Sequence, residues 1–219
     1  HRSMKIKNLP KASLILAGGM MFAGTAGAAI SFNSTFDNGV DATNDGSWTG
    51  FNTYAYGLGY TLAAPAGSGT HYGKTNAGSL TTTIDLTNAG ADTATIAAGN
   101  MTFNFSAWLG SYTGNPDRAQ ISYEFFDSGA ALIGAAVVFD DGAAGTPNGT
   151  WNEYTDSGTL ATNAASVLIT IANSTAAGQA GSNDGYADLV SFSTNTIPEP
   201  SSAALLGLGS LALLKRRRK

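Results

Sequence analysis

Between Met101 and Leu109 every second residue is apolar: Met101, Phe103, Phe105, Ala107 and Leu109 alternate with Thr102, Asn104, Ser106 and Trp108. A period of two is the spacing of a strand that buries one face, so this stretch suits a half-buried β-strand and little else. The alternation returns at Leu80, Thr82, Ile84 and Leu86, and again at Ile121, Tyr123 and Phe125. Asp127-Ser128-Gly129 then supplies a turn into Leu132 to Phe139, which predicts a hairpin. That second run is apolar almost throughout, the pattern expected of a central strand covered on both faces. Val167, Ile169 and Ile171 mark another strand and Tyr186 to Phe192 the last, with weaker ones near Ile30, Trp48, Leu58, Tyr72 and Trp151. No stretch between Ala29 and Thr196 has a convincing helical period. Roughly nine to ten strands in a body of this length predict an all-β, antiparallel two-sheet sandwich.

The two ends of the 219-residue chain differ from this body. Three residues precede Met4 and carry no argument. Met4 to Lys11 is basic, Ala12 to Gly27 is apolar, and Ala26-Gly27-Ala28 offers small residues for cleavage. Residues 1–28 therefore read as a leader remnant and a secretory signal helix, cut by signal peptidase after Ala28 or after Ala29. Residues 197–219 hold the box Pro198-Glu199-Pro200, an uncharged Ala/Leu segment, and the run Lys215, Arg216, Arg217, Arg218, Lys219. The prolines lack N–H groups and fix φ, which keeps the box extended and accessible. Ser201 to Leu214 as a short hydrophobic helix covers about 21 Å, less than the roughly 30 Å hydrocarbon core. Basic residues beside such a helix resist translocation. The tail is thus expected to hold the chain transiently in the inner membrane with residues 29–196, one sandwich domain, outside. An ordinary short tail anchor is the competing reading.

Charge narrows the partners. Cysteine is absent, which removes disulfides and thiol chemistry. Between Ala29 and Thr196 stand 14 acidic residues against Lys74 and Arg118, a formal charge of −12. Phosphate binding needs clustered Lys and Arg, so nucleic acid is not an expected partner. Divalent cations suit such a body better.

The Pro-Glu-Pro box, the Gly-punctuated Ala/Leu segment and the Arg-rich cluster, in that order, resemble the PEP-CTERM sorting signal of exported bacterial proteins. The resemblance implies an exosortase, a membrane transpeptidase-like enzyme, as processing partner, in bacteria that build exopolysaccharide and biofilm. A tail of this kind also bears the label ice-binding protein C-terminal domain, which describes the tail and not an activity. The body is similar to jelly-roll carbohydrate-binding modules and galactose-binding-like domains. Asn33 to Gly39 followed by Trp48 resembles their opening, Phe105 to Gly134 their central hairpin, and Asn183 to Phe192 their closing strand. This implies a jelly-roll sandwich and a structural calcium linking an acid after the first Phe, here Asp37, to an Asp near the end, here Asp188. The family's closing strand usually carries Asn or Asp where this chain has Leu189.

A hard cation needs several oxygens, which carboxylates and turn carbonyls can supply. The competing reading puts Asp37 in an Asp37-Asn38-Gly39 turn and pairs Asp188 with a backbone N–H. Asp41, Thr43, Asp45 and Gly46 mimic the start of an EF-hand loop, but its twelfth position is Asn52 where a bidentate Glu belongs. Polysaccharide binding needs aromatic faces for pyranose stacking, with hydrogen-bonding groups beside them. Trp108 alternates outward near Tyr112, Trp48 opens an aromatic, Gly-rich stretch with Tyr54 and Tyr56, and Arg118 adds donors. Each ring could instead fill the core, and Arg118 could pair with a neighbouring carboxylate. Asp140-Asp141-Gly142 reads as a turn. His71 is the sole histidine of the body, no Gly-x-Ser-x-Gly elbow occurs, and Glu124 and Glu153 are its only glutamates, so hydrolase signatures are missing. Isolated Thr pairs do not make the flat ladder that ice binding requires. The sequence points to an exported envelope or matrix protein, not an enzyme, whose sandwich binds polysaccharide. A structural or adhesive matrix protein without a sugar site is the alternative.

Overall fold

The computed structural model describes residues 29–37, 48–49, 52–56, 62–75, 78–87, 91–111, 118–142, 149–174 and 185–197. Ten strands occur among them: β1 (Ser31–Ser34), β2 (Asn52–Ala55), β3 (His71–Thr75), β4 (Leu80–Asp85), β5 (Met101–Ser111), β6 (Ala119–Phe126), β7 (Leu132–Asp140), β8 (Trp151–Thr159), β9 (Ser166–Asn173) and β10 (Gly185–Thr196). They form two antiparallel sheets. The larger runs β2-β3-β10-β5-β8, with β1 also on β10, and the smaller runs β4-β9-β6-β7. This is the antiparallel two-sheet sandwich of jelly-roll type expected above.

Alternation accounts for the core. Met101, Phe103, Phe105, Ala107 and Leu109 of β5 are all buried, and Ile121 and Tyr123 of β6 with Val167, Ile169 and Ile171 of β9 meet them from the other sheet. Phe105 lies 5.0 Å from Tyr123 and stacks on Phe139 at 5.8 Å, while Phe103 packs edge-on to Phe125 at 5.2 Å. Each large side chain taken fully out of water contributes about 1.5–3 kcal/mol.

Strand β10 is the spine of the larger sheet. It pairs with β5 along its length, and its other edge is divided between β3, at Gly185 to Ala187, and β1, at Val190 to Ser193. The β5 register slips between Asp188 and Ser191, opposite Trp108 and Ser106, so β10 carries one extra residue there. Leu189 absorbs it with φ of 50°. A left-handed backbone costs a large L side chain about 1–2 kcal/mol, whereas Asn and Asp tolerate it.

Three expectations change. Strand β7 is not central but the edge of the smaller sheet. Ile133, Val137 and Phe139 pack against the core, while Leu132, Gly134, Ala135, Ala136 and Val138 on the other side are exposed. Because those exposed residues are apolar too, the run shows no alternation. The body also contains a helix, α1 (Thr93–Ala97), whose cap Asp92 accepts from Ala94 N at 3.0 Å and Thr95 Oγ1 at 2.8 Å. Five residues are too few to show a 3.6-residue period. Finally, the chain near Trp48 contributes an isolated bridge, Thr49 to Thr81. The strand expected near Leu58 and both targeting helices lie outside the described residues, among which no helix is long and apolar enough to cross a membrane.

Replacing Leu189 by Asn should raise stability by about 1 kcal/mol, since the strained residue gives way to one that accepts its backbone. A thermal melt that shows no gain over Leu189→Ala would contradict this account of the bulge.

Candidate binding face

The outer face of the larger sheet is built from residues that alternate away from the core. Pairing sets Trp108 of β5 opposite Asp188 of β10 on one side and Glu153 of β8 on the other. Trp108 is half-buried and Glu153 exposed. One rank along stand Ser106, its Oγ 3.1 Å from Ser191 Oγ, and Thr155 of β8. Further on, Thr102, Asn104, Ser157 and Thr159 line a shallow depression of about 330 Å³.

On the other side of Trp108, Tyr186, Gly110 and Trp151 lie abreast, with Lys74 beyond Tyr186. Gly110 lets the indole of Trp151 cross β5, because a Cβ there would come 2.8 Å from Trp151 Cε3 and 3.1 Å from Leu62 Cδ1. Tyr72 sits 5.0 Å from Tyr56 and 4.8 Å from Tyr186, and Trp151 meets all three tyrosines at 6.1–6.4 Å. With Leu62 they make a second apolar cluster, outside the main core. Tyr72 and Tyr186 are buried within it, while Tyr56 and Trp151 are half-buried. Trp151 Nε1 is enclosed and has no hydrogen-bond partner among the described residues.

Tyr56 O–H donates to Asp188 Oδ2, which brings the cluster down to the rank of Trp108. Asp188 Oδ1 accepts from Leu189 N at 2.7 Å. Burial first, and then the Asp188 carboxylate, push the Tyr56 phenol well above its ordinary value, so it remains a donor. The face therefore offers one half-buried indole with the exposed Glu153 carboxylate on one side, an aromatic wall and a row of hydroxyls, while Asp188 on the other side of the indole is buried.

Not every predicted site residue belongs to it. Trp48 is only 3% exposed; its Nε1 donates to Ser34 Oγ at 3.0 Å and its ring packs on Phe32 and Phe36 at 6.2 and 5.6 Å. It is a core residue rather than a stacking platform. Arg118 is buried as well, donating from Nη1 to Ser111 Oγ at 2.9 Å and lying 3.6 Å from Asp141 Oδ2. Asn152 and Tyr154 donate to Asp141 at 2.8 and 3.0 Å. Burial pushes the Asp141 carboxyl up, against the pull of Tyr154, Asn152 and Arg118. Tyr112 and the sorting residues Pro198, Glu199, Pro200, Arg216, Arg217 and Arg218 lie outside the described residues.

Asp37 and Asp188, the two acids expected to hold calcium, are each engaged by hydrogen donors of the chain. Asp37 Oδ1 accepts from Thr70 N, from Thr70 Oγ1 at 3.1 Å and from His71 N at 3.0 Å, and Oδ2 accepts from Thr35 Oγ1 at 3.0 Å. With Asp188 held by Tyr56 and Leu189, a hydrogen donor reaches each of the four carboxylate oxygens. Among the described residues no group of three or more His, Asp and Glu could hold a metal. Asp37 instead latches the end of β1 to the start of β3. Its slight burial raises its pKa, but the four hydrogen bonds outweigh that and leave the carboxyl below its usual range.

Two other chemistries fail on geometry. Glu124 and Glu153 stand on the outward faces of opposite sheets, so they cannot flank one glycosidic bond. Thr81 and Thr170 are neighbours in one rank, but the next rank holds Thr83, Leu168 and Glu124, which breaks any flat threonine array.

Alternation alone aimed Trp108 correctly, whereas the Tyr56–Tyr72–Tyr186–Trp151 cluster escaped notice as a unit. Its signal was there, since Tyr186 and Asp188 both step outward from the buried Ala187. Which strands are neighbours was not.

Fold and face define an antiparallel β-sandwich with a mixed aromatic and polar outer sheet surface. Residues 196–219 match the PEP-CTERM protein-sorting motif, so this sandwich travels with a signal for export and for exosortase processing at the membrane. Among solved structures the chain is similar to the C-terminal family 22 carbohydrate binding module of Clostridium thermocellum Xyn10B, with TM-score 0.45 and 12% identity over 76% of this chain and 93% of that one. It is similar also to the CBM22-1 xylan-binding domain from Paenibacillus barcinonensis Xyn10C, with TM-score 0.42 and 16% identity over 80% and 98%. A third is the enzymatically active domain of bacteriophage CBA120 tailspike protein 4, with TM-score 0.43 and 12% identity over 66% of this chain and 18% of that one. Carbohydrate-binding modules predominate among these neighbours. No curated protein matches the chain.

Two outcomes follow for Asp37. A carboxyl whose folded pKa is depressed contributes stability above its unfolded pKa of about 3.9 and loses it as pH falls through the folded value. Asp37→Asn should therefore be less stable near neutrality and lose less on acidification below about pH 4 than the native chain, in melts across that range. Melts with and without chelator test the expected calcium: a midpoint that falls with chelator supports a cation at Asp37 and Asp188, and an unmoved one removes it.

Proposed function

We propose that the exported body is a non-catalytic polysaccharide-binding module, acting at the cell surface or in the extracellular matrix and contributing there to exopolysaccharide or biofilm. The observation that supports this reading is the placement of Trp108, an outward, half-buried indole beside the exposed Glu153 on the sheet surface. An indole face covers the apolar side of a pyranose ring, and the exposed Glu153 carboxylate accepts from sugar hydroxyls. These groups sit on paired strands rather than on loops, which holds them in fixed geometry. From Trp108 to the depression at Thr102 the face runs six residues along β5, about 20 Å, a length suited to a polymer rather than a single sugar. A body of formal charge −12 repels polyanions, which favours a neutral glycan as the ligand class.

Affinity electrophoresis against neutral polysaccharides tests the reading. Trp108→Ala should weaken retention at least about tenfold, or 1.4 kcal/mol, with an unchanged melting midpoint. Trp48→Ala should instead cost about 3–5 kcal/mol of stability, because it empties a core site. Retention that survives Trp108→Ala, or that no polysaccharide produces, would defeat the proposal.

A further inference from the structure

The outward positions that surround Trp108 on β10, β5 and β8 decide how a long ligand can cross it. Those on one side are closed. Toward the Ser111 end of β5, Tyr186, Gly110 and Trp151 form one rank, in which the Trp151 indole crosses Gly110 and Tyr186 is 1% exposed. Beside Trp108 on β10, Asp188 is 0% exposed and receives the Tyr56 O–H. The remaining positions are open: Glu153 and Thr155 of β8 are exposed, and Ser106 and Ser191 are half-buried. The closed side is also raised above the sheet. Tyr56 and Leu62 both belong to the connection between β2 and β3, and both reach down from it. A Cβ on Gly110 would lie 3.1 Å from Leu62 Cδ1, so the backbone that carries Leu62 stands a side chain's length over β5. Leu62 is itself buried, packed with Tyr72 and Tyr186 and against Tyr56 and Trp151.

Across Trp108, each closed position stands opposite an open one: Gly110 opposite Ser106, Asp188 opposite Glu153, Trp151 opposite Ser191 and Tyr186 opposite Thr155. A straight path over the indole is therefore blocked on one side, whichever direction it takes. An extended glycan can stack a ring on Trp108 only where its chain stops. We infer, on the basis of the polysaccharide-binding reading above, that this face takes the chain ends of a neutral glycan and not its interior. The terminal sugar lies on Trp108, and the sugars behind it run past Ser106 toward the depression at Asn104 and Thr102. A terminal sugar carries a hydroxyl where an internal one carries its glycosidic bond, and the exposed Glu153 carboxylate beside Trp108 accepts from hydroxyls. The ligand is accordingly scarce in an intact polymer and abundant in one that has been cut.

The test uses the full chain, expressed in an exporting bacterium and recovered in mild detergent. Its retention on immobilised unsubstituted xylan, mixed-linkage β-glucan and glucomannan is challenged with the same polysaccharide in solution, intact or after limited hydrolysis. Fragments about ten times shorter should compete about tenfold better at equal mass, because chain ends and not mass set the ligand concentration. A site for chain interiors would gain nothing from the cutting. Trp151→Ala and Leu62→Ala lower the closed side and should bring intact polymer toward parity with its fragments. The native comparison needs neither variant, so it decides the matter even where one of them fails to fold. Equal potency of intact and cut chains at equal mass, with retention still lost in Trp108→Ala, overturns the chain-end inference and leaves the binding reading standing. A fragment advantage that persists undiminished in both folded variants overturns it too, since the advantage then does not come from the closed side. Retention on none of the three polysaccharides overturns both.

Discussion

Everything else in this sandwich is registered against the ladder between β10 and β5. Ten pairs of residues align along it; β1, β3 and β8 attach to one or other of the two, and β2 joins through β3. The extra residue at Leu189 interrupts the ladder between Asp188 and Ser191, where a bulge adds local twist. Trp108 and Asp188 are the last aligned pair before the slip, so the fold's most strained described stretch of β10 lies directly beneath the candidate face. A straight strand would shift every outward residue on one side of the bulge by one position and turn it inward. The bulge is thus what lets Val190 and Phe192 fill the core between the sheets while Asp188 and Tyr186 stay on the outer side of their sheet, buried there under the second cluster.

The aromatic cluster over Gly110 has a structural consequence of its own. No third layer of described strands covers the outer face of the larger sheet, yet Tyr72 and Tyr186 on it are buried. Leu62 supplies a partial roof for one end only. The result is a surface closed at one end and open along the rest, with Tyr56 and Asp188 at the boundary. The Tyr56 hydrogen bond to Asp188 removes a free carboxylate from the edge of an apolar cluster, where an unpaired charge would be costly. Glu153, on the other side of Trp108, has no such cover and stays in water.

How far the fold could be foreseen depended on whether both faces of a strand differ in polarity. β5 declared itself because its outward residues are Thr, Asn, Ser and Trp, and the same contrast located β4, β6 and β9. β7 failed the contrast, since apolarity of the outward residues signals cover in most sheets but cannot report whether a cover exists. Trp48 and Trp108 show the same limit in a single residue type. Trp108 sits within a long alternation that fixes its direction, while Trp48 stands in a turn-rich stretch with no period to orient it, and only the packing of Phe32 and Phe36 reveals that it points inward. For Asp37 the sequence identified an important carboxylate but not its partners, because Thr70 and His71 are more than thirty residues away and their N–H groups leave no mark in composition.

The placement of the chain ends gives the body a direction. Ile30 and Thr194 exchange two hydrogen bonds of 3.0 Å, and Ile197 N donates to Asn100 O at 2.7 Å, so the first and last described residues emerge at the same end of the sandwich. Asp188 lies eight residues back along β10, about 25 Å away. The sorting motif begins at Thr196, the final residue of that strand, which leaves no linker between the hydrogen-bonded ladder and the processing signal. Trp108, paired with Asp188, therefore lies toward the opposite end of the sandwich from the point where the described chain ends. The two prolines that follow Ile197 cannot extend the ladder, since they have no N–H to donate, and so the sheet ends where the signal starts.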